Sequence, residues 1–537
     1  MKRLFCLLLA VVLCSGYFAP VQVQAAQVLS YTIQDGSVTI TECQDSATGE
    51  IEIPAYIEGY PVTKIDGFAF SNCYQITAVT IPDTVTHIGI SAFIYCKSLT
   101  NIVIPASVTL IGDGVFHGCT QLAGIWVDPE NPAYCNDESG VLFNKEKTTL
   151  LSAPGMISSY QIPDTVTTIG SYAFAYCERL TAMTIPEGIT AIGDHAFTDC
   201  KNLTQFQFNE TLTYIPSYIL NSCSNLTSVT IPESVTEIGV SAFGFCKNLT
   251  NVVIPDGVTR IQSFAFSGCD RITQITIPAT VTTIYSGAFG NCSQLTGIHV
   301  ATDNPNYCSV DGVMFNKDQS VLLQVPGSFS GYDIPAGVTI ISSYAFRGCQ
   351  NLTQITIPHN IKEIYDSAFS FCTNLAEVFI PDSVTHIADS AFYYCRSLKK
   401  ITIPGSVTRL GDRAFAACPN LKTVIFRGNA PVMYDHTFYS ETLTAYYPAL
   451  NQTWTEDVRC NYGGNITWVG HNWQIPGDFT CDDRVNNEDV AYLLWYTLFP
   501  EDYPLAVNGD LTGDGTINNE DVAYLLWYTL FPEDYPI

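Results

Sequence analysis

The chain has 537 residues, 47% hydrophobic and 14% charged, with a formal net charge of −28. A chain this apolar is not intrinsically disordered, and its charge excludes nucleic acid and anionic membrane surfaces as partners. The acid is concentrated at the far end, where residues 477–537 hold 13 Asp and Glu against one Arg. Carboxylates at that density repel one another or bind hard cations.

The first 25 residues have the layout of a secretion signal. Lys2 and Arg3 form a basic start, Leu4 to Leu13 an apolar core, and V-Q-A ending at Ala25 a small-residue cleavage site. The apolar core is too short to span a bilayer comfortably, and bulky Leu13 before Cys14 speaks against a lipid anchor. No later stretch is apolar enough to cross a membrane. The expectation is an exported protein with no membrane insertion. Residues 26–60 read as a capping segment.

From there the chain repeats. Cysteines stand at 73, 96, 119, 177, 200, 223, 246, 269, 292, 349, 372, 395 and 418, so every gap is 23 residues except those of 58 and 57. A fixed period in the twenties is the mark of a solenoid. Within each period, L-T-x-I-x-I alternates as a half-buried strand does. Pro then stops the strand, having no N–H to donate. V-T-x-I is a second short β-like run, and A-F is a tight turn that sends a ring inward. One such coil has no partner for its buried face, and stacking supplies one through parallel ladders. Equivalent cysteines then fall one strand spacing apart in a column. Packed, buried thiols are the expected state, with disulfides between neighbouring coils as the alternative. A metal site or catalytic thiol is not indicated, because the column has no C-x-x-C pair and no recurring His.

The period, the I-P strand end and the A-F turn resemble the BspA-type leucine-rich repeats of bacterial surface proteins. The resemblance covers roughly residues 27–470 and implies adhesion or binding at a cell surface, with very varied partners. Residues 61–426 are then the solenoid, and 427–472 a C-terminal capping segment.

Two inserts, at about 124–158 and 297–330, match each other. Each holds an apolar run, a polar turn (Asn144-Lys145 or Asn316-Lys317) and a second apolar run, which predicts a hairpin projecting from the stack. The outward strand positions are small or polar, as at Ala78, Thr80, Gln274, Thr276, Gln354 and Thr356, except at Trp126, His299 and Phe379. An outward aromatic can stack on a sugar or anchor a protein partner. Trp126 and His299 precede the two inserts at equivalent places, so cover by the inserts is the competing expectation.

The segment 473–537 contains two loop–helix units 32 residues apart, with "NNEDVAYLLWYTLFPEDYP" repeated without change from Asn486 and Asn518. The second loop places Asp510, Thr512, Asp514, Thr516, Asn518 and Asp521 at positions 1, 3, 5, 7, 9 and 12, with Gly515 at position 6. That is EF-hand-like spacing, in which alternate oxygens converge on one hard cation and position 7 contributes its carbonyl. The first loop runs Asp478, Thr480, Asp482, Arg484, Asn486 and Asp489, with Asp483 where Gly is usual, so two Ca²⁺ ions are expected, the first held more weakly. These paired loops, closed by Asp rather than Glu, resemble a dockerin. The resemblance implies Ca²⁺-dependent folding and docking onto a cohesin-type scaffold protein. Thr at position 3 and Asn-Glu at positions 10 and 11 (Asn487, Glu488, Asn519, Glu520) depart from the commonest pattern and leave the cohesin class open. Those four residues are the candidate docking contacts.

The expected architecture is a β-rich solenoid of 23-residue coils followed by a small all-α, EF-hand-like, dockerin-like domain. There is no G-x-S-x-G, H-E-x-x-H or P-loop, and the eight His are scattered. The leading expectation is a secreted, non-catalytic binding protein, whose solenoid holds a protein or glycan and whose tail docks it to a scaffold or cell surface. The alternatives are a structural spacer with a Ca²⁺-stabilised end and no cohesin partner, and a polysaccharide-active enzyme.

Overall fold

The computed structural model describes residues 28–449, 451–471, 485, 487–498, 509–512 and 516–530. The signal segment lies outside them. So do Asp478, Thr480, Asp482, Arg484, Asn486 and Asp514 of the two loops. The chain divides into two compact units, Met1–Ser158 with Pro163–Arg179, and Ser159–Ile162 with Leu180–Ile537.

The coil from Cys269 to Cys292 in the second unit shows how one repeat is built. Gln274–Ile277 is a strand whose Ile275 and Ile277 are buried and whose Gln274 and Thr276 are exposed. It pairs in parallel with Gly297–Val300 of the next coil. Pro278 ends it, and the Pro278 carbonyl accepts the Val281 amide at 3.3 Å, closing a turn. Thr283–Ile284 then pairs in parallel with Arg260–Ile261. The two recurring threonines of the repeat form ladders of their own. Thr282 Oγ1 donates to Thr259 O at 3.3 Å and Thr296 Oγ1 to Thr273 O at 2.8 Å, each reaching one coil back.

The A-F side is a third hydrogen-bonded wall. The amides of Ser241, Phe243 and Phe245 donate to the carbonyls of Ser263, Ala265 and Ser267 at 3.0, 2.9 and 2.7 Å. Ser241 and Phe245 have φ of +48° and +57°, and left-handed residues recur at these two places in coil after coil. Each is sterically disfavoured for an L-residue, and the bonds to the next coil hold it there. The inward rings stack. Phe70, Phe93 and Phe116 stand 4.9 and 5.6 Å apart in the first unit, and Phe243, Phe266 and Phe289 stand 5.3 and 5.9 Å apart in the second.

The column cysteines are buried and unbridged. They are also hydrogen-bond donors. Cys96 and Cys119 in the first unit, and Cys223, Cys246, Cys269, Cys292, Cys372, Cys395 and Cys418 in the second, each donate Sγ–H to the carbonyl 26 residues earlier. The distances run from 3.1 to 3.3 Å. Burial pushes the thiols of Cys246, Cys292 and Cys372 up to about 12. Glu441, 23 residues after Cys418, ends the column and accepts the Cys418 amide at 2.5 Å.

The inserts do contain the expected hairpins, but each has three strands. In the first unit Tyr134–Asn136, Leu142–Asn144 and Thr149–Ser152 pair antiparallel in sequence. In the second, Tyr307–Val310, Val313–Asn316 and Val321–Gln324 do the same. The expectation of a projecting decoration needs correcting, because the last strand of each insert pairs in parallel with the next coil, at Thr168–Ile169 and Ile340–Ile341. Gly124–Val127 and Gly297–Val300 pair with Asn101–Ile104 and Gln274–Ile277, so they belong to the stack itself. Fully buried Asn131 anchors the first insert, its Nδ2 donating to Pro105 O and Val108 O at 2.7 and 2.9 Å. Asn304 repeats this on Pro278 O and Val281 O, both at 2.9 Å.

Leu29–Gln34 and Ser37–Cys43 form an antiparallel pair at the N-terminal end. At the C-terminal end Thr442–Pro448 and Asn465–His471 extend the strand ladder in parallel, and Phe426, Tyr447, Trp454 and Trp468 close the core beside them. The described part of the tail is two short helices of identical sequence, Asn487–Leu498 and Asn519–Leu530, with Leu493 and Leu525 fully buried between them.

Candidate functional site: the strand face and the tail helices

On the strand face, alternation turns every second residue to solvent. In the first unit Trp126 lies beside Val103 in register, and Val103 is 55% exposed. A Cβ on Gly124 would stand 2.8 Å from the Trp126 indole. The glycine therefore lets the ring lie across the sheet. Trp126 is 39% exposed, so its insert does not cover it, and that expectation falls. His299 in the second unit occupies the same relation to Gly297, where an added Cβ would stand 3.0 Å from Nε2, and it too is exposed. Phe379, opposite Thr356, is 42% exposed. The sequence-derived trio is thus solvent-facing, with Trp126 in one unit and His299 and Phe379 in the other.

In the tail, Asn518 caps the second helix, its Oδ1 accepting the Glu520 amide at 2.6 Å. Asp521 is fully buried. Its Oδ1 accepts Leu511 N, Thr512 N and Thr512 Oγ1 at 2.7, 2.9 and 3.1 Å, and its Oδ2 accepts Asn518 N at 2.9 Å. Loop positions 3 and 12 are therefore in contact through Thr512 Oγ1 and Asp521 Oδ1, two hard side-chain oxygens of the kind that suit Ca²⁺. The same bonds also describe a helix-capping carboxylate. Among the described residues no group of three or more ligating side chains forms. Asp489 is buried in the equivalent place on the first helix.

The helices are related as mutual partners. Thr497 Oγ1 donates to Asn519 Oδ1 at 3.2 Å, and Thr529 Oγ1 donates to Asn487 Oδ1 at 3.3 Å. Two of the four residues proposed for docking thus have their amide oxygens engaged between the helices, while Glu488 and Glu520 are exposed. Sequence reasoning missed the apolar pair of faces. Trp495 and Trp527 are each 46% exposed, and Leu498 and Leu530 each 56%. Their spacing of i and i+3 gave the signal, since Leu493 and Leu525 already supply the core.

Among the described residues no helix is long and apolar enough to cross a membrane. No curated protein matches the chain. Solved structures do. A leucine rich cell surface protein from Faecalibacterium prausnitzii A2-165 is 26% identical, over 82% of this chain and 93% of that one, with a TM-score of 0.40. A leucine-rich repeat protein from Eubacterium ventriosum ATCC 27560 is 25% identical, over 51% and 95%, with a TM-score of 0.36. One from Bacteroides ovatus ATCC 8483 is 23% identical, over 82% and 98%, with a TM-score of 0.33. The model of the BspA type leucine rich repeat region matches residues 43–139, 153–263, 221–320 and 324–444. With that match spanning most of the stacked coils described above, the chain belongs to the BspA-type leucine-rich repeat family.

Proposed function

We propose that this is an exported, non-catalytic binding protein. Its solenoid holds a protein or glycan on the strand face, and its tail docks onto a cohesin-type scaffold when Ca²⁺ is bound. The observation that carries the first half is the solvent-facing Trp126 indole lying over Gly124. An exposed ring on a rigid sheet loses little freedom on binding, which makes it an efficient anchor. The surface role named for the Faecalibacterium relative agrees with export.

The tail reading is supported by its loop spacing and by the contact between Thr512 and Asp521. Asp510, Thr512, Asp514, Thr516, Asn518 and Asp521 would hold one Ca²⁺, and Asp478, Thr480, Asp482, Arg484, Asn486 and Asp489 a second, weaker one. The two equivalent helices would offer two equivalent docking faces, with Trp495 and Trp527 at their centres.

Calorimetric Ca²⁺ titration of the full chain, followed by binding to a panel of recombinant cohesins with Ca²⁺ and with chelator, tests this. Two sites of unequal affinity and Ca²⁺-dependent cohesin binding are expected. Ca²⁺ uptake without any cohesin binding would favour the spacer reading, which the capping bonds of Asp521 already accommodate. For the solenoid, Trp126→Ala and Phe379→Ala on the full chain should weaken retention on a glycan and protein array at least about tenfold if these rings are hot spots. Unchanged retention would remove the strand face from consideration.

A further inference from the structure

The chain as a whole carries 51 acidic and 23 basic residues. Residues 347–427 reverse that balance, with nine Lys and Arg against six Asp and Glu. Two of these cations sit on a run of aromatic rings on the A-F side of the second unit. Arg347 lies over Phe371 at 4.8 Å and over Tyr344 at 5.4 Å. Phe371 packs on Tyr394 at 5.1 Å, and Arg396 lies over Tyr394 at 4.8 Å. The order Arg347, Phe371, Tyr394, Arg396 is thus continuous through three adjacent coils.

Among the described residues neither arginine has a carboxylate within ion-pair reach. Arg347 makes one long bond, from a terminal nitrogen to Ser370 Oγ at 3.5 Å, and its Nε is buried without a partner. Two acids of these coils are turned to the backbone instead. Asp366 Oδ1 accepts the Asp389 amide at 3.2 Å, and Asp389 Oδ1 accepts the Asp412 amide at 2.8 Å. Lys399 and Lys422 stack one coil apart just beyond Arg396, with Lys422 N donating to Lys399 O at 2.9 Å. Exposed Arg396, lying on the Tyr394 ring, presents its N–H fork to a carboxylate, while half-buried Arg347 offers only its terminal nitrogens.

We infer that the Arg347–Phe371–Tyr394–Arg396 surface docks an acidic peptide segment of a partner protein. Charge complementarity selects the sign of the partner, because this is the basic stretch of a chain of net charge −28. The pairing of Arg with aromatic rings is the composition of a protein-interface core, where buried rings anchor and guanidinium groups pair with carboxylates. The inference rests on the solenoid being a binding surface, and it adds a contact region on the A-F side of the second unit.

The test is fluorescence anisotropy of labelled poly-L-glutamate with the full chain in chelator, which keeps the tail loops from bridging through Ca²⁺. Saturable binding that weakens with salt is expected. Arg396→Gln should lower affinity about tenfold, the scale of an interfacial charge-pair contact. Arg347→Lys, which keeps the charge but loses the fork, should lower it less than Arg347→Gln. Arg271→Gln, at an exposed position in another coil, should leave it unchanged. Absence of poly-L-glutamate binding, or equal loss in all variants, overturns the inference. So does binding of polygalacturonate in preference to poly-L-glutamate, which would assign the surface to an anionic glycan. None of these outcomes bears on Trp126 and Phe379, which are tested separately by their own variants.

Discussion

Cys269 donates its thiol proton to the carbonyl oxygen of Phe243 at 3.1 Å, across one coil of the stack. The same carbonyl already accepts the Cys246 amide at 3.3 Å, so the thiol fills its second lone pair. A residue at this place must be small, apolar and able to donate. Cysteine meets all three conditions, which accounts for its return in the coils whose thiols make this bond.

Cys269→Ala removes that donor and a buried sulfur together. The loss should be about 1–2 kcal/mol, the scale of an unmade buried hydrogen bond. Urea denaturation of the full chain checks it. Cys269→Ser, which retains a donor, should lie between wild type and Ala.

Thiol reactivity should separate the column from the rest. Burial holds Cys246, Cys292 and Cys372 at about 12, so almost no thiolate forms near pH 8. Cys460 is exposed. Iodoacetamide on the native protein should label Cys460 first, with the column cysteines appearing only in denaturant. Peptide mass spectrometry reads the order. Early labelling of Cys269 would show that the stack opens far more easily than its packing implies.

Asn304 ties the second insert to the preceding coil through Pro278 O and Val281 O, and its own oxygen accepts Asn306 N and Tyr307 N, both at 2.9 Å. Asn304→Ala removes the partner of Val281 O, Asn306 N and Tyr307 N, while Pro278 O keeps its bond from Val281 N. A loss of about 3 kcal/mol or more is expected, since each orphaned group costs about 1–3 kcal/mol. Hydrogen exchange should show the loss centred on residues 302–324.

Glu441 carries a pH dependence. Burial raises its pKa above the ordinary value, opposed by its bond from Cys418 N and by Lys422, and its Oε2 is buried without a partner. The folded state therefore binds this proton more tightly than the unfolded state does. Stability falls as pH rises through the window above the unfolded carboxylate pKa of about 4.3, and stays lower beyond it. Glu441→Gln should be more stable than wild type at pH 7, with the difference shrinking toward pH 4. Thermal melts of both proteins across that range decide it. A Gln variant no more stable at pH 7 would mean that water already satisfies Oε2.

Much of the molecule was legible in the chain because solenoid contacts are periodic. A residue at position n meets its equivalent at n + 23, so the strand, the proline stop and the inward Phe could all be read from one coil. Trp126, His299 and Phe379 stood out as breaks in a polar pattern. The third wall was not legible, because left-handed residues such as Ser241 and Phe245 carry no common side-chain signature. The role of the thiol was hidden for a related reason, since composition says that Cys is buried but not which carbonyl it faces. The engagement of Asn487 with Thr529 and of Asn519 with Thr497 was not legible either, because it depends on helix packing.

By itself the sequence determined the period, the family, the buried positions and the acidic duplication at the end, since each follows from residue type repeated at fixed spacing. Only the tertiary structure decided which outward groups lack partners. It left Trp126 uncovered by its insert, turned Asp366 and Asp389 to backbone amides, and set Arg347 and Arg396 on aromatic rings with no carboxylate partner among the described residues. Whether a charge is paired depends on side chains from different coils meeting in space, and spacing along one chain does not encode that.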